Sequence, residues 1–342
     1  MDIAELKSRL KSGELSGWYI MCGAEDYLKK HYMNQIRKSV VSDESFSLFN
    51  YVLYDGRDID FAEVAEAIKS PPMMSDYKLI EWRFADLDGM KESEKSALES
   101  LFDMKSEYPC AIFAIMTTAE GFDMGSEKRP SKLAARLSRG FDIINFPKSS
   151  DSQLLSWLKK HFDAEKIRVD LNTLNALLFR SGHSMDVLNN EVIKLCCFAK
   201  ACGRDFVTSE DVESVSSPTV ECDAFALSNA VIEKNVERAF SALTDLKQRR
   251  AEPSVIVAML ERTYSELMSV SLLLDEGRGA GDIEKILKFH PFKTKLYINA
   301  AKKVGSKKLA DSLSELCRID ASSKSGGLSG YGAIEMFITQ SL

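Results

Sequence analysis

The feature that most constrains this chain is a change of pattern at Pro147. Before it, short apolar runs alternate with helix-like stretches. WYIMC (18–22), NYVLYD (50–55), KLIEW (78–82), CAIFAIMTT (110–118) and FDIINF (141–146) read as strands. Between them, 26–40, 59–69, 91–104 and 131–138 read as helices, and a short first helix ends near Gly13. Strands that are apolar throughout are buried on both faces, which requires a mostly parallel sheet covered by helices on each side. After Pro147 the strands stop. Helices are expected at 151–165, 171–180 and 184–200, and TSED (208–211) has the form of a capping box. From 221 onward the spacing predicts helices at 223–233, 235–247, 253–276, 281–289, 291–303, 306–322 and 331–341, punctuated by Gly277, Gly305 and GGLSGYG (326–332). The expected organisation is an α/β domain over 1–146, a small helical domain over 147–210 and a larger helical domain over 211–342.

Composition narrows the function classes. A chain of 342 residues, 45% hydrophobic and 28% charged, has ample core for such domains. A net charge of −6 argues against bulk coating of nucleic acid or membrane surface. No apolar run reaches the roughly 18 residues that span a bilayer. The start, MDIAELKSRLKSG, lacks the apolar core of a signal peptide, so a cytoplasmic protein without membrane partners is expected. Cys196, Cys197 and Cys202 cluster in KLCCFAKAC, but no CxxC pair or nearby histidine completes a metal site. Buried helix thiols in a reducing compartment are expected instead. His31, His161, His183 and His290 are dispersed and assemble no triad.

The first strand runs into CGAEDYLKK, which can be set against the phosphate-loop pattern GxxxxGK[ST]. Gly23 fits the first glycine and Lys29 the lysine. Leu28 stands where the second glycine should let backbone N–H groups wrap the phosphates, and Lys30 replaces the magnesium-binding hydroxyl. Glu25 and Asp26 add negative charge where phosphates would lie. At the end of KLIEW, Arg83 and Phe84 stand where a neighbouring strand of an active site would carry an acidic pair for magnesium. In GHSMD (182–186), Met185 takes the place of an arginine that ATPases of this architecture send to the nucleotide. A chance pattern match and a degenerate phosphate loop both remain open here. On either reading there is no cofactor, no metal and no ATP hydrolysis.

Two further stretches stand out. SPPMMSDYKL (70–79) places Met73 and Met74 after two prolines. Pro71 ends the preceding helix and, with Pro72, stiffens the exit. The methionines either tuck into the core, which the residues alone favour, or are held out for a partner whose apolar pocket a flexible thioether side chain can fill. From Lys285 to Lys308 there are eight lysines, no acids, and interleaved Phe289, Phe292 and Tyr297. This is either a solvated helix face over core aromatics or a surface for phosphates and unpaired bases, with Lys293, Lys302, Lys303 and Tyr297 as candidate DNA contacts. Lys128, Arg129, Lys132, Arg136 and Arg139 form a second such candidate.

Taken in order, YIMCGAEDYLKKHY, SPPMMSDYKLIEW, LNNEVIKL, TSEDVESV, DAFALSNAV, ILKFHPFK and DASSKSG resemble the delta subunits of bacterial DNA polymerase III clamp loaders over nearly the whole chain. The resemblance implies an AAA+ type α/β domain that has lost ATPase activity, then a helical lid and a helical collar that assembles with other loader subunits of the gamma/tau and delta prime types. It implies a non-catalytic subunit of the polymerase holoenzyme that binds and opens the ring-shaped sliding clamp (beta subunit) for loading onto primer–template DNA. An apolar pair at the corresponding place in that family enters a pocket on the clamp, which favours display of Met73 and Met74, with Pro71 and Pro72 positioning them. Two rivals remain: an active nucleotide hydrolase with a divergent phosphate loop, and a DNA-binding adaptor that never meets a clamp.

Overall fold

The computed structural model describes residues 1–41, 46–57, 59–126, 129–325 and 330–341. It divides into two compact units, Met1–Ser149 and Ser150–Leu342.

In the first unit α1 (Ile3–Ser12) leads into β1 (Trp18–Cys22), α2 (Asp26–Val40), the single turn α3 (Ser47–Asn50) and β2 (Tyr51–Asp55). There follow α4 (Phe61–Lys69), β3 (Lys78–Ala85), α5 (Glu92–Ser100), α6 (Met104–Glu107) and β4 (Ala111–Thr117). A two-strand hairpin, β5 (Gly125–Ser126) and β6 (Arg129–Pro130), precedes α7 (Lys132–Leu137) and β7 (Asp142–Asn145). Five strands form one parallel sheet in the order β2-β3-β4-β1-β7. The order explains the apolar runs: every residue of β1 and β4 is buried, whereas edge strand β2 is only partly so. Alternate residues feed two cores. Trp18, Ile20, Ile80, Trp82, Phe113 and Ile115 pack with Val64 and Ile68 of α4 and Leu137 of α7. Tyr19, Met21, Leu79, Ile112 and Ala114 pack with Leu6 of α1 and with Tyr32, Met33 and Ile36 of α2.

The expected helix over 91–104 is two helices, because the chain turns at Leu101–Asp103 and Phe102 swings onto Phe141, ring centroids 5.9 Å apart. Gly140 is required there: a Cβ would stand 2.5 Å from the Phe102 ring. KLIEW continues to Ala85, so Arg83 and Phe84 lie within β3. β4 separates β3 from β1, so the two residues stand one strand further from the glycine loop than a neighbouring strand would place them.

The second unit is helical: α8 (Asp151–Ala164), α9 (Leu171–Ser181), α10 (Met185–Ala201), α11 (Ser209–Val215), α12 (Val220–Ile232), α13 (Val236–Gln248), α14 (Pro253–Asp275), α15 (Ala280–Leu287), α16 (Pro291–Val304), α17 (Ser306–Lys324) and α18 (Tyr331–Ser341). Thr208 and Asp211 form the anticipated capping box. α12 to α18 share a core that includes Phe225, Tyr264, Tyr297 and Phe337. Residues 326–329 of the glycine-rich punctuation lie outside the described residues. Of the clustered thiols only Cys196 is buried; Cys197 and Cys202 are exposed, because they fall on the solvent side and at the end of α10. Among the described residues no helix is long and apolar enough to cross a membrane.

Candidate functional site: a glycine loop over a buried lysine and an exposed methionine tip

The loop after β1 is filled by its own bonds. Gly23 has φ of 99°, and a Cβ there would lie 2.4 Å from the Phe146 carbonyl oxygen. Phe146 donates its N–H to Cys22 at 2.8 Å and accepts from Glu25 N–H at 3.0 Å, which ties the loop to the end of β7. Lys29 is fully buried. Its Nζ donates to the carbonyls of Gly23 at 2.7 Å and Thr117 at 2.8 Å, and pairs with Asp26 at 2.8 Å. An ammonium has three donors, so none is left for a phosphate. Leu28 packs against the core beneath α2, Lys30 is exposed, and the buried Glu25 accepts from Ser149 N–H at 3.2 Å.

At the end of β3, Arg83 reaches sideways instead of toward a metal. Its Nε donates to the buried Glu81 at 2.5 Å and its Nη2 to the Tyr51 hydroxyl at 3.3 Å. Tyr51 in turn donates to Glu81 at 2.8 Å, and the Arg37 guanidinium lies 4.7 Å from its ring centre. Burial first, then the bond to Glu81, pushes the Tyr51 phenol up to about 12, so it remains a donor. Phe84 bulges from the strand in the left-handed region, φ 57°, with its ring half-exposed. Met185, in the second unit, is buried at the start of α10. The Arg83 and Tyr51 side chains are thus engaged with Glu81, and neither Phe84 nor Met185 carries a group that binds magnesium or a phosphate.

The methionines are not core residues. Met73 is 44% and Met74 82% exposed. The loop that carries them is held at three places. Asn50, 2% exposed, accepts the Met73 N–H and donates to the Met73 carbonyl, each at 2.7 Å. Ser75 donates to the Val40 carbonyl at the end of α2, at 3.0 Å. Pro71 and Pro72 fix the exit from α4, whose last turn is capped by Ser70 N–H bonding Glu66. Met74 sits at φ 53°, a conformation that costs a branched or long L-residue about 1 kcal/mol and persists only when its surroundings impose it. The α3 turn that ends at Asn50 carries Leu48 and Phe49, both exposed. Sequence reading missed α3 and Asn50, because a single turn has no periodicity to detect.

The basic stretch is not one surface. Tyr297 is 1% exposed and stacks on Phe225 with ring centroids 4.7 Å apart, so it cannot meet a base. Lys293 lies 3.0 Å from Glu266 and 3.2 Å from Glu221, and its ammonium caps the rings of Phe289 and Tyr297. Lys303 pairs with Glu233 at 2.6 Å. Both lysines are neutralised by other helices. Lys302, with Lys285, Lys288, Lys295, Lys307 and Lys308, is exposed without an ion pair among the described residues. In the first unit Arg136 bridges Glu92 at 2.9 Å and Glu99 at 2.6 Å, which makes it a tie between helices; Arg129, Lys132 and Arg139 are exposed, and Lys128 lies outside the described residues.

A parallel sheet in this order, with a glycine loop after β1 and α2 behind it, is an α/β module of AAA+ type, here with the Lys29 ammonium turned onto the Gly23 and Thr117 carbonyls. Two family models match the chain: "DNA polymerase III, delta subunit" over residues 19–135 and "DNA polymerase III delta subunit, C-terminal domain" over residues 221–341. Together they span well over half of it, and the chain belongs to the DNA polymerase III delta-subunit family. DNA polymerase III subunit delta of Bacillus subtilis is 24% identical over 339 residues, covering 97% of this chain and 95% of the relative. The chromosomal replication initiator protein DnaA of Enterococcus faecalis is 20% identical over 230 residues, 67% of this chain and 51% of that protein. Among solved structures, the Bacillus subtilis DNA clamp loader delta protein superimposes with a TM-score of 0.57 at 23% identity, covering 99% of this chain and 98% of that one. The expected fold and family therefore stand.

Proposed function

We propose that this chain is the clamp-binding and clamp-opening subunit of its loader, and that it hydrolyses no nucleotide itself. The observation that carries the reading is the tip: two large apolar side chains displayed on a loop whose backbone is pinned by Asn50 and stiffened by two prolines. A pinned loop loses little entropy on docking, and methionine adapts to an apolar pocket. The partners are a sliding clamp of beta type, motor subunits of gamma/tau and delta prime types, and primer–template DNA in the assembled complex. ATP bound by the neighbours would drive the cycle, and this subunit needs only a higher affinity for the open clamp than for the closed one. We divide the second unit after residue 210, near the start of α11, with α8 to α10 in the lid and α12 to α18 in the collar; the shared core of the latter supports that division. DNA contact in the collar falls to Lys302 and the exposed lysines near it, without Tyr297.

The test is clamp affinity of the full chain with and without Met73→Ala and Met74→Ala. Together the two methionines have somewhat more than one side chain's worth of apolar surface left to bury, worth about 2 to 4 kcal/mol. Affinity should fall roughly 30- to 1000-fold, while the melting temperature changes by only a few degrees. Unchanged affinity would remove the tip from the interface.

A further inference from the structure

The displayed tip depends on one buried side chain. Met73 follows a proline, and its own N–H and C=O are both satisfied by the Asn50 carboxamide, at 2.7 Å each. This is the exchange of two bonds that a residue of a neighbouring antiparallel strand would make. A side chain does it here because the loop lies beyond the reach of the sheet: β2 begins only at Tyr51 and β3 only at Lys78. Asn50 itself is fixed from behind. It closes the α3 turn, and the next residue, Tyr51, is bonded to Glu81 in the interior of β3. The line from the buried Glu81 through Tyr51 and Asn50 to Met73 therefore sets the backbone from which Met74 projects, in its left-handed conformation.

We propose that Asn50 is a positioning residue for clamp docking: its carboxamide holds the Met73 backbone so that the Met73 and Met74 side chains stay presented to the clamp. This rests on the clamp-docking reading above. The side chain never meets the clamp, so its effect is felt through the tip. The chemistry is specific, since a carboxamide supplies one donor and one acceptor in one plane. A carboxylate of the same shape supplies acceptors only and would face the Met73 carbonyl with a lone pair. A protonated carboxyl regains the donor.

That difference gives a readout a merely structural role would not move. In the full chain, Asn50→Asp should bind the sliding clamp about ten- to a hundredfold more weakly than the unaltered protein at pH 8, the scale of one buried carbonyl left without its donor. Burial raises the carboxyl's pKa. As pH falls toward 5.5 the group takes up a proton, the donor returns, and the deficit relative to unaltered protein at the same pH should shrink. Asn50→Ala should show a deficit that does not change with pH. The Met73→Ala, Met74→Ala variant runs alongside. If it loses clamp affinity while Asn50→Asp and Asn50→Ala both bind normally, the positioning role is overturned and the docking reading survives. If the methionine variant binds normally, docking through the tip is overturned and the role of Asn50 with it. Should the Asn50 variants fail to fold, hydrogen exchange on the unaltered protein decides. The Met73 amide should exchange at least a hundredfold more slowly than an unprotected amide, and exchange at the unprotected rate overturns the proposal.

Discussion

Replacing Lys29 separates a structural lysine from a phosphate-binding one. In an active hydrolase this lysine points into an open loop, and its loss abolishes nucleotide binding with little effect on the empty protein. Here Lys29 is fully buried and donates to the carbonyls of Gly23 and Thr117. Lys29→Ala would orphan both acceptors and leave a cavity under the loop. Unsatisfied buried acceptors cost about 1 to 3 kcal/mol each and cavities add to that, so the first unit should lose roughly 3 to 5 kcal/mol. The pairing with Asp26 adds little, because that carboxylate is largely exposed. Lys29→Met refills the space without the donors and should lose about 2 to 3 kcal/mol, the low end for two orphaned acceptors. Trp18 and Trp82 are buried in the first unit and report its unfolding by fluorescence, in a Trp157→Phe background that silences the second unit. With a urea slope of about 2 kcal/mol per molar, the midpoint for Lys29→Ala should fall by about 1.5 to 2.5 M. ATP–Mg²⁺ should leave the unaltered midpoint where it is, whereas a ligand at a hundred times its Kd would add about 2.7 kcal/mol. An unchanged midpoint for Lys29→Ala, or an ATP-dependent rise that this substitution removes, would refute the reasoning and revive the hydrolase reading.

Two further outcomes follow from burial and pairing. With a maleimide at pH 8, Cys197, Cys202 and Cys317 should react quickly, while Cys22, Cys196 and Cys222, buried and pushed up to about 11 mainly by desolvation, should react only after unfolding; mass mapping of labelled peptides checks this, and early labelling of Cys22 would contradict the packing beneath the loop. In the collar, Lys293→Ala should destabilise the second unit by about 1 to 3 kcal/mol by taking the ammonium from Glu266 Oε2, with Arg262 left on Oε1, whereas Lys302→Ala should leave stability within about 0.5 kcal/mol and lower the salt slope of DNA binding by the assembled loader by about 0.7 to 0.9. Equal melting of the two variants would place Lys293 on a solvated face.

What the sequence showed and what it hid have physical reasons. β1 and β4 were legible because strands buried on both faces read as unbroken apolar runs. The long helices were legible from their spacing and from caps such as Thr208. The inward turn of Lys29 was not, since the same spacing serves a lysine aimed at a phosphate or at a carbonyl. The run of lysines misled because charge was counted along the chain: the acids that neutralise Lys293 and Lys303, Glu221 and Glu233, lie about 70 residues away in sequence. Tyr297 misled for a related reason, as an aromatic between lysines on one strip of sequence can face the core on the helix. Met73 and Met74 are apolar, and apolarity argues for burial. Their display depends on Asn50, a contact 23 residues distant that no local pattern announces.

The most direct measurement follows the methionine methyl groups themselves. The chain has 13 methionines, and carbon-13 labelling of their methyls gives resonances that single substitutions assign. On addition of the same organism's sliding clamp, the signals of Met73 and Met74 should shift or broaden with the binding curve. Those of Met21, Met33, Met116 and Met185, all buried, should keep their positions. Clamp binding with the two tip methyls unmoved would contradict the account at its centre.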